Sequence, residues 1–155
     1  MATNCSDVFD LFMTRVNVYQ LTSIYQTSAS TLNLHLEPYL LDSINEFLDV
    51  SNQDLTYTLT SGSVEGYFTE NLDNRNKFML SFIMTKYWWA YQVRNLLQFQ
   101  NLLQDHDFKT FSQAQNLQAK QQSYNNIREE VSQAINDYSY RYNDWASWKN
   151  QVFDS

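Results

Sequence analysis

A mainly α subunit of four helices with one β-hairpin insertion is the fold this sequence predicts, and three observations carry the prediction. Glycine occurs twice and proline once in 155 residues, so long irregular loops lack the residue chemistry they need. Two long stretches, Phe78 to Leu97 and Leu117 to Tyr138, repeat apolar residues at helical rather than strand spacing. Only between Leu55 and Phe68 does the pattern alternate in the manner of a hairpin, around Ser61-Gly62-Ser63. A chain of this length makes a single domain over residues 1–155, burying roughly 70% of its unfolded surface.

The elements follow in chain order. Residues 6–14 place Val8, Phe9, Leu11 and Phe12 at helical spacing behind Ser6 or Asp7 as N-cap, which predicts a short first helix. Residues 15–31 are rich in β-branched and hydroxyl side chains and read as extended or irregular chain. Leu32, Leu34 and Leu36 alternate up to Pro38, a residue tolerated in a first turn, so the second helix is predicted to start near Pro38 and run to about Asp49. Tyr39, Leu40, Ile44, Phe47 and Leu48 give it one apolar face. The Leu55–Phe68 hairpin holds both glycines, Gly62 and Gly66. A lone hairpin is marginal, so it must lean on the helices or pair with another chain.

Asn71 or Asp73 is placed to cap the central helix, which spans Phe78 to Leu97 and extends towards Leu103 as a continuation or a kinked second piece. On a 100° wheel Ser81, Thr85, Gln92 and Asn95 form one narrow polar stripe, and apolar residues cover most of the rest. Such a helix is wrapped by neighbours on nearly every side. Trp88 falls between Thr85 and Gln92 on the polar stripe. Either a small irregularity turns its ring inward, or it stays outside the core for another chain to bury, as interface tryptophans do. Ser112 and Gln115 have capping-box spacing and predict the start of the last helix. Its seam is Leu117, Tyr124, Val131 and Tyr138 at sevens, flanked by Ile127 and Ile135. From Tyr138 to the end, Tyr140, Tyr142, Trp145, Trp148 and Phe153 crowd aromatics into a terminus, and such a tail is expected to dock on something.

The charge balance, 10 Lys and Arg against 17 Asp and Glu for a net −7, argues against a sequence-independent grip on nucleic-acid phosphates. The single cysteine, Cys5, sits in the N-terminal tail with no partner, which implies no disulfide framework and fits a reducing cytoplasm. Asp7 and Asp10 interrupt what would be the apolar core of a signal peptide. No convergent catalytic set emerges. Asp105-His106-Asp107 has no further ligands at metal spacing and reads as solvated loop charge, and Cys5 has no basic neighbour to activate it. No glycine-rich phosphate loop or nucleophile-elbow serine occurs. The expectation is therefore a non-enzyme with no catalytic residue, cofactor or metal.

The run Asp107-Phe108-Lys109-Thr110-Phe111-Ser112, followed by Leu117, Arg128-Glu129-Glu130-Val131 and Tyr138-Ser139-Tyr140, resembles the tail-connector or head–tail adaptor proteins of tailed bacteriophages. Met84 and Trp88 stand at the family's distance from this run, and Tyr39-Leu40, Phe47 and Asp54-Leu55 follow its pattern of a helix leading into a polar hairpin. Three positions depart from that pattern. Tyr91 stands where proline is usual, Tyr87 replaces an acidic residue, and Val50-Ser51 lacks a cysteine.

The resemblance implies a virion protein of the neck, assembled in the host cytoplasm. It would form a homo-oligomeric ring, commonly of twelve copies, between the portal protein and the next neck or tail protein. DNA would pass through the channel without specific binding, and no membrane is involved. Trp88, Tyr91, Asp107, Phe108, Phe111, Tyr138, Tyr140, Tyr142, Trp145 and Trp148 are the expected interface residues. The rival expectation is a soluble helical-bundle binding module, an effector or regulator that grips a host protein.

Overall fold

The computed structural model describes residues 2–16, 26, 28–103 and 111–142, with side chains left out over 99–114. Among these residues the chain is mainly helical, with four helices and a small sheet. In order they are β1 (Thr3–Asn4), α1 (Cys5–Arg15), α2 (Ala29–Phe47), β2 (Tyr57–Thr58), β3 (Tyr67–Phe68), α3 (Asn74–Leu103) and α4 (Phe111–Tyr142). The expected two-stranded hairpin is β2 and β3, and a third strand completes it. Strand order is β1-β3-β2, all antiparallel, with Thr3 and Tyr57 both opposite Phe68. Thus the hairpin finds its support within its own chain, on the residues just before α1. Gly62 takes φ +59 at the turn, where Ser61 and Val64 bridge, a conformation that favours glycine.

Helix α1 begins at Cys5, ahead of Ser6 and Asp7. Its N-cap Asn4 makes no side-chain capping bond; Glu65 of the hairpin reaches across instead and accepts the Ser6 N–H at 2.7 Å. A carboxylate there satisfies an orphan donor and complements the helix dipole. Cys5, Val8, Phe9 and Phe12 are buried, so Cys5 belongs to the core and not to a tail.

Helix α2 corrects the boundary placed at Pro38. It starts nine residues earlier, with Ser28 as N-cap accepting the Thr31 N–H at 3.3 Å, and Pro38 lies inside it. Leu32, Leu36 and Leu40 are buried one turn apart, followed by Ile44 and Phe47, while Leu34 points outward. The leucines between 32 and 36 thus alternate by helical face, a pattern that mimics a strand over so short a window. Proline in a helix interior costs about 3 kcal/mol. Pro38 is exposed, so its ring lies on the outer side of the helix, and the buried leucines on either side hold the helix together.

Asp73 caps α3, its Oδ1 accepting the Asn76 N–H at 2.7 Å, and the helix continues without a break to Leu103. It is the hub, packed by α1, α2 and α4. The first half of the polar stripe faces inward: Ser81 and Thr85 are buried, and their hydroxyls donate back to the carbonyls of Phe78 (2.8 Å) and Ser81 (3.0 Å). Small side chains that satisfy their own polar atoms let neighbouring helices approach closely. Phe78 is left half outside, with the Arg15 guanidinium stacked 4.2 Å from its ring and 4.9 Å from that of Phe82. Burial lowers the Arg15 pKa from its ordinary value. Along α4 the predicted seam is the packed face, with Val131 and Tyr138 fully buried and Ile127 and Ile135 lying against the core.

Candidate interaction surfaces

Two residues expected at an interface belong to the core. Trp88 is 6% exposed, on the inward stripe with Ser81 and Thr85, and its ring stands edge-on to Trp89 at 5.1 Å. The room left by those two small side chains is why the indole can turn in. Tyr138 is 0% exposed and fastens three segments. Its hydroxyl donates to Asn76 Oδ1 at the start of α3 (2.6 Å), accepts the backbone N–H of Asn52 in the loop after α2 (3.2 Å), and touches the Asn52 side chain. Asn76 Nδ2 completes the network by donating to Asn52 Oδ1 (3.0 Å) and Gln53 Oε1 (2.6 Å). The ring packs edge-on to Phe47 at 4.8 Å and beside Tyr142 at 4.6 Å, with Arg75 over both tyrosines. Burial raises the Tyr138 pKa, so the hydroxyl stays a donor.

Other expected interface residues are outward. Tyr91 is 43% exposed, with its ring edge-on to that of Tyr39 at 6.1 Å, and Tyr140 and Tyr142 are exposed at the end of α4. Asp107, Phe108, Trp145 and Trp148 lie outside the described residues, as does the knot Asp105-His106-Asp107. Phe111 opens α4, but its side chain is among those left out. Several outward apolar residues were not anticipated as surface, namely Leu34 and Leu48 on α2, Leu59 and Val64 flanking the hairpin turn, and Leu97 on α3.

A polar cluster sits beneath the sheet. Glu37 Oε1 accepts the Tyr57 hydroxyl and the Thr60 N–H, both at 2.8 Å, and Thr60 Oγ1 accepts the Gly66 N–H at 3.0 Å. Cys5 donates its S–H to Glu65 Oε1 at 3.4 Å. Burial pushes the Cys5 thiol up to about 12, with the carboxylates of Glu65 and Glu37 adding to the rise. A thiol held protonated is a poor nucleophile. Tyr57 is raised too, by burial and by its bond to Glu37. Gly66 gives the Tyr57 hydroxyl its room, since a Cβ would stand 2.7 Å from Tyr57 Cζ and 3.0 Å from Glu37 Oε1, and closer still to the hydroxyl, so any side chain there would displace the tyrosine. The cluster's partners are all internal, so what it does is tie α1, α2 and the hairpin together. Among the described residues no group of three His, Cys, Asp or Glu is arranged to hold a metal ion.

Charge is divided unevenly along the chain. Residues 1–73 carry ten carboxylates and one cation, Arg15, whereas α3 has four cations and no carboxylate. Lys77 reaches Asp7 at 3.6 Å and Lys86 pairs with Glu46, so α3 is joined to α1 and α2 by charge as well as by packing. Lys86 also lies 4.6 Å over the Tyr87 ring. No helix among the described residues is long and apolar enough to cross a membrane. Comparison with protein-family models, curated proteins and solved structures finds no match for this chain.

Proposed function

We propose that the protein is a structural subunit of a tailed-bacteriophage neck. On this reading it forms an oligomeric ring, a dodecamer in expectation, that joins the portal to the tail and extends the DNA channel. The observation that carries the reading is the placing of outward aromatic and apolar residues at both ends of the central helix. Tyr142 packs beside Arg75 at its start, and Tyr91 and Leu97 stand near its far end. At 1.5 Å per residue, Arg75 and Leu97 are about 33 Å apart along the axis. Head-to-tail rings need two different surfaces on each subunit, and two separated patches are what such a subunit must offer. The motif running from Asp107 to Tyr140 gives independent support through its resemblance to the head–tail adaptors. The acidic balance suits a conduit that DNA must pass without being held.

The test is native mass spectrometry of the purified chain, alone and with a purified portal ring, followed by imaging of any complex. A closed ring, or stoichiometric decoration of the portal, supports the reading. A monomer that ignores the portal favours the competing one, a self-contained helical binding module for a host protein. The burial of Trp88 and Tyr138 is the observation on that module's side, since it removes two aromatics from the outer surface.

A further inference from the structure

One turn of the contact between α2 and α3 is complete within the chain. Lys86 on α3 pairs with Glu46 on α2 and lies 4.6 Å over the ring of Tyr87. A carboxylate and the face of a tyrosine thus hold one basic side chain between them, the two attractions open to a cation at a protein surface. The side chain of Lys86 is only 14% exposed there. Burial, Glu46 and Asp42 all raise the pKa of Tyr87, so both carboxylates of α2 stand within electrostatic reach of this tyrosine.

The next turn repeats this arrangement without its basic side chain. Glu46 meets Lys86 and Tyr39 meets Tyr91, so the two helices run antiparallel, and residues four apart on each lie one above the other. Asp42 therefore takes the place of Glu46, Tyr91 that of Tyr87, and Ala90 that of Lys86. Tyr39 adds a second ring where the first turn has Ser43. Its plane stands at 68° to that of Tyr91, with centroids 6.1 Å apart, and two rings so set make two walls of a corner. Asp42 and Tyr91 are exposed and Tyr39 is half-buried. Among the described residues Asp42 forms no ion pair, and no basic group lies over the ring of Tyr39 or Tyr91. Arg94, three positions beyond Tyr91, is exposed and joins neither contact.

We infer that the corner of Asp42, Tyr39 and Tyr91 takes an arginine side chain presented by another protein chain, completing from outside what Lys86 completes from within. Arginine suits it better than lysine, because a planar guanidinium lies flat on a ring while its N–H fork faces a carboxylate. One such contact sets where a partner sits and in which register, and does not by itself supply the strength of an interface. The corner stands on the repeat between the two turns and not on the neck-ring reading.

The probe is a capped peptide, Gly-Gly-Arg-Gly-Gly, titrated into the full chain carrying ring-labelled tyrosine and followed by NMR. Beside it runs the same peptide with citrulline in place of arginine, which keeps the shape and loses the charge. The Tyr39 and Tyr91 resonances are expected to move with the arginine peptide and to stay with the citrulline one. Asp42→Asn, at an exposed position, is expected to weaken the response about threefold. Asp10→Asn removes an exposed carboxylate on α1 and is expected to leave it unchanged. Ala90→Lys supplies the basic side chain from within and is expected to abolish the response. Equal shifts with citrulline, equal weakening by Asp10→Asn, or an undiminished response in Asp42→Asn or Ala90→Lys overturns the proposal. Each of those outcomes leaves the ring untouched, since native mass spectrometry decides the ring separately.

Discussion

At the scale of single residues, Tyr138 shows how one hydroxyl can hold three segments of chain. Replacing it with Phe keeps the ring against Phe47 and strips the bond to Asn76 and the acceptor for the Asn52 N–H. Leaving buried polar groups without partners costs about 1–3 kcal/mol; urea unfolding of Tyr138→Phe is expected to show a loss in that range with an unchanged m-value. Trp88 belongs to the same class. Buried with Ser81 and Thr85, it is expected to cost about 3–5 kcal/mol of folding stability as Trp88→Ala, measured on the isolated chain. An effect on assembly with folding intact would put the indole outside after all. Cys5 provides a pH signature. Its thiol titrates near 9.0 when unfolded and is pushed up to about 12 when folded, chiefly by burial. The unfolded chain therefore gives up this proton first as pH rises. The stabilisation is complete below pH 9.0 and declines towards pH 12, by at most about 1.4 kcal/mol per pH unit for one group. Tyr39, Tyr57, Tyr87 and Tyr138, also raised by burial, add the same sign from 10.0 upward. Between 9.0 and 10.0 the thiol acts first, and Cys5→Ala is expected to flatten the stability curve in that interval; an identical slope in wild type and variant would assign the loss elsewhere.

At the scale of elements, the most telling case is α2, which runs through its proline. Pro38→Ala restores an N–H to bond the Leu34 carbonyl and removes the ring from a helix interior. Against a gain of about 3 kcal/mol stands the freer unfolded chain, worth about 0.4–1 kcal/mol, so net stabilisation of roughly 2 kcal/mol is expected in denaturant titration. A loss of stability would mean the proline itself shapes the packing of its neighbours. This helix also marks where sequence reading stops. The seam of α4 was legible because Leu117, Tyr124, Val131 and Tyr138 repeat over many turns, and Asp73 was legible as a cap because the signal is local. The start of α2 was hidden because one proline outweighed the spacing of Leu32, Leu36 and Leu40. Strand β1 was hidden for a different reason. Two residues carry no period, and only their pairing with Tyr67 and Phe68, some sixty positions away, makes them a strand. Likewise the facing of α3 at Trp88 stayed open in the sequence because Ser81 and Thr85 count as polar on a wheel, while in the fold their hydroxyls are satisfied by their own helix. Of the expected interface, Tyr91, Tyr140 and Tyr142 are outward and Trp88 and Tyr138 are not, since side-chain type alone does not say which aromatic a neighbouring helix will cover.

At the scale of the whole molecule, the uneven distribution of charge gives the association a diagnostic. The acidic first half and the carboxylate-free α3 already attract within one chain through Lys77–Asp7 and Lys86–Glu46. Outward charge remains on both sides of that division, Asp10, Asp42, Asp49, Asp54, Glu70 and Asp73 in the first half and Arg94 on α3. A contact assembled only from leucines and tyrosines would strengthen as salt rises, because salting-out ions favour apolar burial. A contact steered by opposite charge behaves the other way round. Its attraction is screened over a Debye length of about 10 Å at 0.1 M ionic strength and about 3 Å at 1 M, and the screening acts first on the rate of encounter. Self-association of the wild type, which the proposed ring requires, is therefore expected to weaken from low to high sodium chloride if opposite charge steers it, with most of the change in the association rate. Surface plasmon resonance with one copy immobilised separates the two rates. If wild type binds itself more tightly at high salt, apolar residues alone hold the copies together, and the uneven distribution of charge has no part in choosing the partner.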